Sequence, residues 1–243
     1  MKCPGQDSQY WKPGAIYEAD CPKCGHGVEF FKDDPTRRCP KCGHRFVNPK
    51  MDFGCAAYCP FADQCVGELP PEVVAQRQDL IKDRVAVDMK RYFKNDFKRI
   101  GHATRVARYA ERIGKDEGGN MAVIRIAAYL HDIGLPEAEK KYGSSGVEYR
   151  EKEGPPVAKR MLKGLGAPNE LIEEVCDIIA HHHHPGPGDN LNFKVVFDAD
   201  RIADMEESMR KQPMASAQLE EMIETKFLTK SGTLHAKKLL LDK

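Results

Sequence analysis

Tyr129-Leu130-His131-Asp132-Ile133-Gly134 lies near the middle of a 243-residue chain, at the end of an apolar run with helical spacing: Met121, Val123, Ile124, Ile126, Ala127, Ala128 and Leu130. The run reads as a buried helix. Its end carries an imidazole beside a carboxylate, two groups that are costly to bury without a partner ion. Neighbours on a helix point about 100° apart, so the pair grips one ion only if other segments supply further ligands. The chain offers them in order: His102 upstream, the run His181-His182-His183-His184 downstream, and then Asp200. Singly, each has a plain structural explanation as a core histidine, an exposed loop or a helix cap. Their succession on separate helices points to a metal.

The pattern on both sides of this stretch is helical. Val73, Val74, Leu80, Ile81, Val85 and Met89 recur at three- and four-residue steps and predict a helix from Pro71 to about Phe93. Ile100, Ala103, Val106, Ala107, Ala110 and Ile113 predict a second from about Asp96 to Lys115, broken by Gly118-Gly119. Asn120 is placed to cap the helix that carries the His-Asp pair, and Gly134 and Pro136 end it. The segment from Lys140 to Gly146 reads as a loop whose glycines would let it move as a lid. Further helices are expected from about Pro155 to Leu165, from Pro168-Asn169 into the histidines, over Phe193 to Asp204, and over about 215–228 and 233–241. Almost no alternating strand pattern occurs, so this body is expected to be all-α.

The N-terminal part reads differently. Cys21-Pro22-Lys23-Cys24-Gly25-His26 recurs letter for letter as Cys39-Pro40-Lys41-Cys42-Gly43-His44. Two thiolates astride a tight turn, followed by a glycine that lets the backbone curl, make a knuckle. Two knuckles make a closed four-thiolate zinc site, and short strands at Val28 to Phe31 and Arg45 to Val47 make the unit ribbon-like. A redox dithiol would need only one pair. Cys3, Cys55, Cys59 and Cys65 remain and form a candidate second four-cysteine site, for zinc or an iron–sulfur cluster. The head is taken to end at Leu69-Pro70-Pro71, giving a cysteine-rich module over 1–70 and a helical domain over 71–243. Lys23, Lys32, Arg37, Arg38, Lys41 and Arg45 would allow the head to dock on nucleic acid or protein, although such charges usually face solvent.

Composition narrows the class. The 38 basic and 37 acidic residues nearly balance, which argues against a general nucleic-acid or membrane-surface protein. No apolar run approaches the roughly 20 residues of a membrane span, and Met1 to Gly5 lacks the apolar core of a secretory signal. A cytoplasmic location is expected, where nine cysteines would stay reduced and clustered ones bind metal. The oligomeric state is not legible.

The phrases GHATRVARYA, AAYLHDIG, IIAHHHH and VVFDADRIADM, in that order, resemble the HD-domain superfamily of metal-dependent phosphohydrolases, over roughly residues 95–240. The resemblance implies an HD-type helical bundle in which His102, His131, Asp132 and Asp200 hold the primary metal. His181 and His182, or His182 and His183 one residue on, fit the paired histidines that hold a second ion or contact phosphate. Members with two metals carry another histidine before that pair, near Glu151 to Pro156 here. None occurs from Asp132 to Ala180, so one strong site with a weak or absent second is implied unless Glu151 or Glu153 substitutes.

A mixed imidazole and carboxylate set suits manganese, iron, cobalt, nickel or zinc. Such an ion would lower the pKa of water and partly neutralise phosphate, with Asp132 helping to take the proton. Arg105, one turn from His102, is the best-placed candidate phosphate clamp, with Lys140 and Arg201 behind it. The expected activity is hydrolysis of a phosphomonoester or phosphodiester, with a nucleotide favoured as the phosphorylated substrate. Two rivals stand beside it: a non-catalytic nucleotide-binding sensor or adaptor, and an HD-fold di-iron oxygenase, which needs a complete second site.

Overall fold

A computed structural model describes residues 16–31, 34, 36–50 and 71–241, with 71–80 as backbone alone. The chain divides into two compact units, Met1–Arg77 and Gln78–Lys243.

In the first unit, β1 (Ile16–Asp20) pairs antiparallel with β2 (Gly27–Phe31), and β3 (Thr36–Arg38) with β4 (Arg45–Val47). Each cysteine knuckle is the turn of one hairpin. The two turns close alike: the Cys21 N–H donates to the His26 carbonyl at 2.9 Å, and the Cys39 N–H to that of His44 at 2.8 Å. Gly25 and Gly43 sit at φ 67° and 70°, a left-handed conformation that glycine adopts at no steric cost. Phe30 is fully buried between the hairpins with Val28, Cys21 and Cys39, and meets Phe46 edge-on. β2 and β4 coincide with the expected strands. β1 and β3 carry too little apolar alternation to stand out, Thr36-Arg37-Arg38 least of all. Cys3, Cys55, Cys59 and Cys65 lie outside the described residues.

The second unit is helical: α1 (Pro71–Phe93), which enters it at Gln78, α2 (Phe97–Glu117), α3 (Met121–Leu130), α4 (Leu135–Tyr142), α5 (Val147–Gly164), α6 (Asn169–His181), α7 (Leu191–Lys211), α8 (Ser216–Lys226) and α9 (Lys230–Leu240). The central layer is α3 between α2, α6 and α7. Ile124, Ile126, Ala127, Ala128 and Leu130 of α3 are wholly buried, as the apolar run requires. Asn120 caps α3, its side chain accepting from the Ala122 and Val123 N–H groups. Gly118 ends α2 at φ 81°.

Two stretches depart from the sequence reading. Pro136 opens a helix rather than ending one, so Lys140 to Tyr142 close α4 instead of starting a loop. The ring of Tyr142 then stacks on Tyr149 at 4.4 Å across the connection between α4 and α5. α5 begins eight residues before Pro155 and carries Pro155 and Pro156 inside it. A proline costs most in a helix interior, which is why the sequence favours a start there. Packing overrides it: Gly154 lies so close to Gly134 and Ile179 that the turns before the prolines are held against the core.

Candidate metal centre

α3 and α6 are each followed by a buried histidine, His131 and His182. Just past α3, the His131 Nδ1–H donates to the Ala128 carbonyl at 2.8 Å. Just past α6, the His182 Nδ1–H donates to the Ile179 carbonyl at 3.0 Å. A carbonyl only accepts, so each ring carries a proton on Nδ1 and, when neutral, a lone pair on Nε2. Both Nε2 atoms are buried without a hydrogen-bond partner. An unpaired lone pair in the core is expensive unless a cation takes it.

Carboxylates face these lone pairs. From His131 Nε2 it is 3.5 Å to Asp200 Oδ1 and 3.6 Å to Asp132 Oδ2, and from His182 Nε2 it is 3.8 Å to Asp132 Oδ1. His102, on α2, reaches Asp200 Oδ1 with Nε2 at 3.0 Å and Glu207 Oε1 with Nδ1 at 3.1 Å. The donors form overlapping groups: His102, His131 and Asp200; His131, Asp132 and His182; Glu151, His182 and His183. A six-coordinate ion with bonds of about 2.1 Å sets adjacent donors about 3 Å apart and opposed donors about 4.2 Å apart. The cluster fits that spacing, and its donor set is the mixed N/O kind that transition metals take.

The electrostatics of the metal-free cluster follow from the same contacts. Burial opposes charge on His102, but its hydrogen bond to Asp200 and the nearby Asp204 and Asp132 outweigh it and raise the ring to about 9. Burial and the neighbouring His131 and His183 lower His182 to about 3. Asp132 and Asp200 are held below the usual carboxylate range despite burial, Asp132 by His131, His182 and Arg150, and Asp200 by His131, His102 and His182. Burial and Asp200 push Asp204 up to about 6.

The remaining candidates are dispersed. His183 joins the cluster: its backbone N–H and its ring Nδ1–H both donate to Glu151 Oε1, each at 3.1 Å. His181 does not, because it turns to Asp189 at 3.0 Å and stacks on Phe193. Of the two candidate pairs, the structure brings His182 and His183 together with the cluster and leaves His181 outside it. Glu153 also turns away, to Lys141 and the Tyr142 hydroxyl. Arg105 is not at the ion position: it pairs with Glu207, the carboxylate that orients His102. Lys140 is exposed on α4, and Arg201 lies over the Phe197 ring. Asp198 is buried, accepting from the Leu228 and Thr229 N–H groups and the Thr229 hydroxyl, and so anchors the start of α9.

Two residues were not singled out from the sequence. Glu207 falls seven positions after Asp200, on the same helical face, a spacing visible in the sequence. Arg150 donates from Nη1 to Asp132 Oδ1 at 3.0 Å, while its Nη2 lies 2.7 Å from His183 Nε2. Above the cluster opens a cleft of about 310 Å³ lined by Asp96, Lys98, Arg99, His102, Asp132, Leu135, Ser145, Asp204 and Glu207. In the head, the Cys21 and Cys42 sulfurs lie 3.6 Å apart, as do those of Cys24 and Cys39, and all four form one group that could hold a metal.

The family model described as the HD domain matches residues 99–205. The helical body has the fold class of an HD-domain helical bundle. The matched stretch includes His102, His131, Asp132, His182, His183 and Asp200. Among curated proteins, the chain is 26% identical over 127 residues to a ribonuclease Y of Deinococcus radiodurans, covering 51% of this chain and 20% of that one. It is 28% identical over 115 residues to a ribonuclease Y of Thermus thermophilus, covering 47% and 18%. The match thus spans about a fifth of the length of these relatives. Similar solved structures include a predicted HD superfamily hydrolase from an uncultured Thermotogales bacterium, with TM-score 0.48 and 24% identity over 64% of this chain and 83% of the other. Bacillus subtilis YpgQ gives TM-score 0.48 and 18% identity over 66% and 88%. Among the described residues, no helix is long and apolar enough to cross a membrane.

Proposed function

We propose that the body is a metal-dependent phosphohydrolase that cleaves a phosphoester of a nucleotide or oligonucleotide, with a phosphodiester favoured. The observation that carries this reading is the pair of buried, unpartnered Nε2 atoms of His131 and His182, aimed at Asp132 and Asp200 beneath an open cleft. His102, His131, Asp132 and Asp200 would hold the ion. When bound, it would supply Lewis acidity, making water more acidic and drawing charge from a phosphoryl oxygen.

The side chains do the rest. Glu207, itself held by Arg105, fixes the His102 ring so that Nε2 faces Asp200. Asp132, depressed in pKa and therefore ionised at neutral pH, is the proton acceptor at the cleft floor. Lys98 on the rim attracts an anionic substrate. The phosphodiester preference draws on the ribonuclease Y relatives.

In the head, four sulfurs bound tetrahedrally at about 2.3 Å would lie about 3.8 Å apart. The 3.6 Å separations support structural zinc at Cys21, Cys24, Cys39 and Cys42.

The test is hydrolysis of bis-p-nitrophenyl phosphate, nucleoside monophosphates and short RNA by wild type and Asp132→Ala, with metal analysis of both. The variant is expected to lose the body metal and at least about a hundredfold in activity, and to keep the head metal. Unchanged activity in Asp132→Ala would remove the mechanism.

A further inference from the structure

We infer that the guanidinium of Arg150 is the second cation of this centre, filling the position beside the first ion that a second metal would otherwise take. His131, Asp132 and His182 form one further donor group, which shares His131 and Asp132 with the first site, and Glu151, His182 and His183 form another that overlaps it at His182. Such groups invite an ion. Arg150 is already among them. Its Nη1 lies 3.0 and 3.3 Å from the two oxygens of Asp132, and its Nη2 lies 2.7 Å from His183 Nε2.

The His183 contact is the telling one. The ring's Nδ1–H is committed to Glu151, so Nε2 presents a lone pair, as a ligand nitrogen would. The guanidinium donates into that lone pair while its charge lies against the carboxylate a bridging ion would need. Arginine cannot give up its proton in a protein, so the position stays occupied at any pH the fold survives.

The backbone fixes this arrangement. A Cβ built on Gly134 would stand 2.2 Å from the Arg150 carbonyl oxygen and 2.5 Å from the Gly154 nitrogen. Only a glycine two residues past Asp132 lets α5 come this close, and that approach delivers Arg150 to Asp132. The Arg150 side chain is 19% exposed, a largely desolvated charge whose partners are the would-be ligands.

The inference rests on the reading of His102, His131, Asp132 and Asp200 as holders of one ion, and is independent of the substrate. It is tested by titrating the full chain with Mn²⁺, which as a hard ion leaves thiolates aside, and recording stoichiometry and electron paramagnetic resonance. Wild type is expected to bind one Mn²⁺ with the spectrum of an isolated ion. Arg150→His, which exchanges the cation for a ligand, is expected to bind two with the spectrum of an exchange-coupled pair. Arg150→Ala, which only vacates the position, is expected to admit the second ion more weakly, and gives the same readout if Arg150→His does not fold. Two coupled ions in wild type, or a single ion in both variants, would overturn the inference while leaving the first site standing. No bound Mn²⁺ in wild type would overturn the first-site reading and this one together.

Discussion

At the scale of single residues, the centre is defined by which nitrogen of each histidine is spoken for. His131 and His182 are committed through Nδ1 to the helix end before them, so they are ready to bind an ion. His102 is different: both its nitrogens face carboxylates, and its pKa of about 9 means that it holds a proton the ion must displace. The apparent affinity of the body for Mn²⁺ should therefore rise about tenfold per pH unit up to about pH 9, as isothermal titration at several pH values would show. A flat profile would contradict the assignment of His102. In the metal-free protein the sign reverses. The raised pKa contributes stability that is full below about 6.5 and lost as pH rises through about 9, so the melting temperature should fall over that window in wild type and stay level in His102→Gln. Glu207→Gln should weaken metal binding roughly 10–100-fold by loosening the His102 ring. The candidate ligand residues stood out in the sequence because a histidine or aspartate in an apolar helical face is unusual. Glu207 and Arg150 were not, because a charged residue on a helix usually faces water and only the fold shows that these two face the cluster.

At the scale of elements, the close approach of α5 to the turn after α3 decides the site. Gly134→Ala should cost roughly 3 kcal/mol, because the added methyl meets backbone rather than a side chain that can move. It should also weaken Mn²⁺ binding by displacing Asp132. Gly118→Ala is the control: φ is 81° but nothing lies within 4 Å, so about 1 kcal/mol is expected, with metal binding intact. Thermal denaturation with parallel Mn²⁺ titration separates the two, and equal metal affinity in both would count against α5 as the positioning element. The sequence showed α2, α3, α6 and α7 through their apolar periodicity and caps. It hid α4 and the first half of α5, because Pro136, Pro155 and Pro156 act as helix breakers in isolation. Tertiary contact at Gly134 and Gly154 outweighs that local preference.

At the scale of the molecule, two candidate metal-donor sets share one chain: soft thiolates in the head, and imidazole with carboxylate in the body. They should separate under metal exchange. Zinc absorption spectra of Asp132→Ala should show four sulfur neighbours at about 2.3 Å and no nitrogen or oxygen shell, because only the head retains its ion. A nitrogen shell there would mean that the body holds zinc without Asp132. The sequence signal for a separate head is the repeated CPKCGH, since an identical knuckle has no use in a helical bundle. The central claim is that His102, His131, Asp132 and Asp200 converge on one ion. Anomalous diffraction from crystals of the Mn²⁺-loaded protein tests it most directly. A single peak about 2.1–2.3 Å from His102 Nε2, His131 Nε2 and oxygens of Asp132 and Asp200 is the predicted result. A map with no peak among those four side chains would contradict the account.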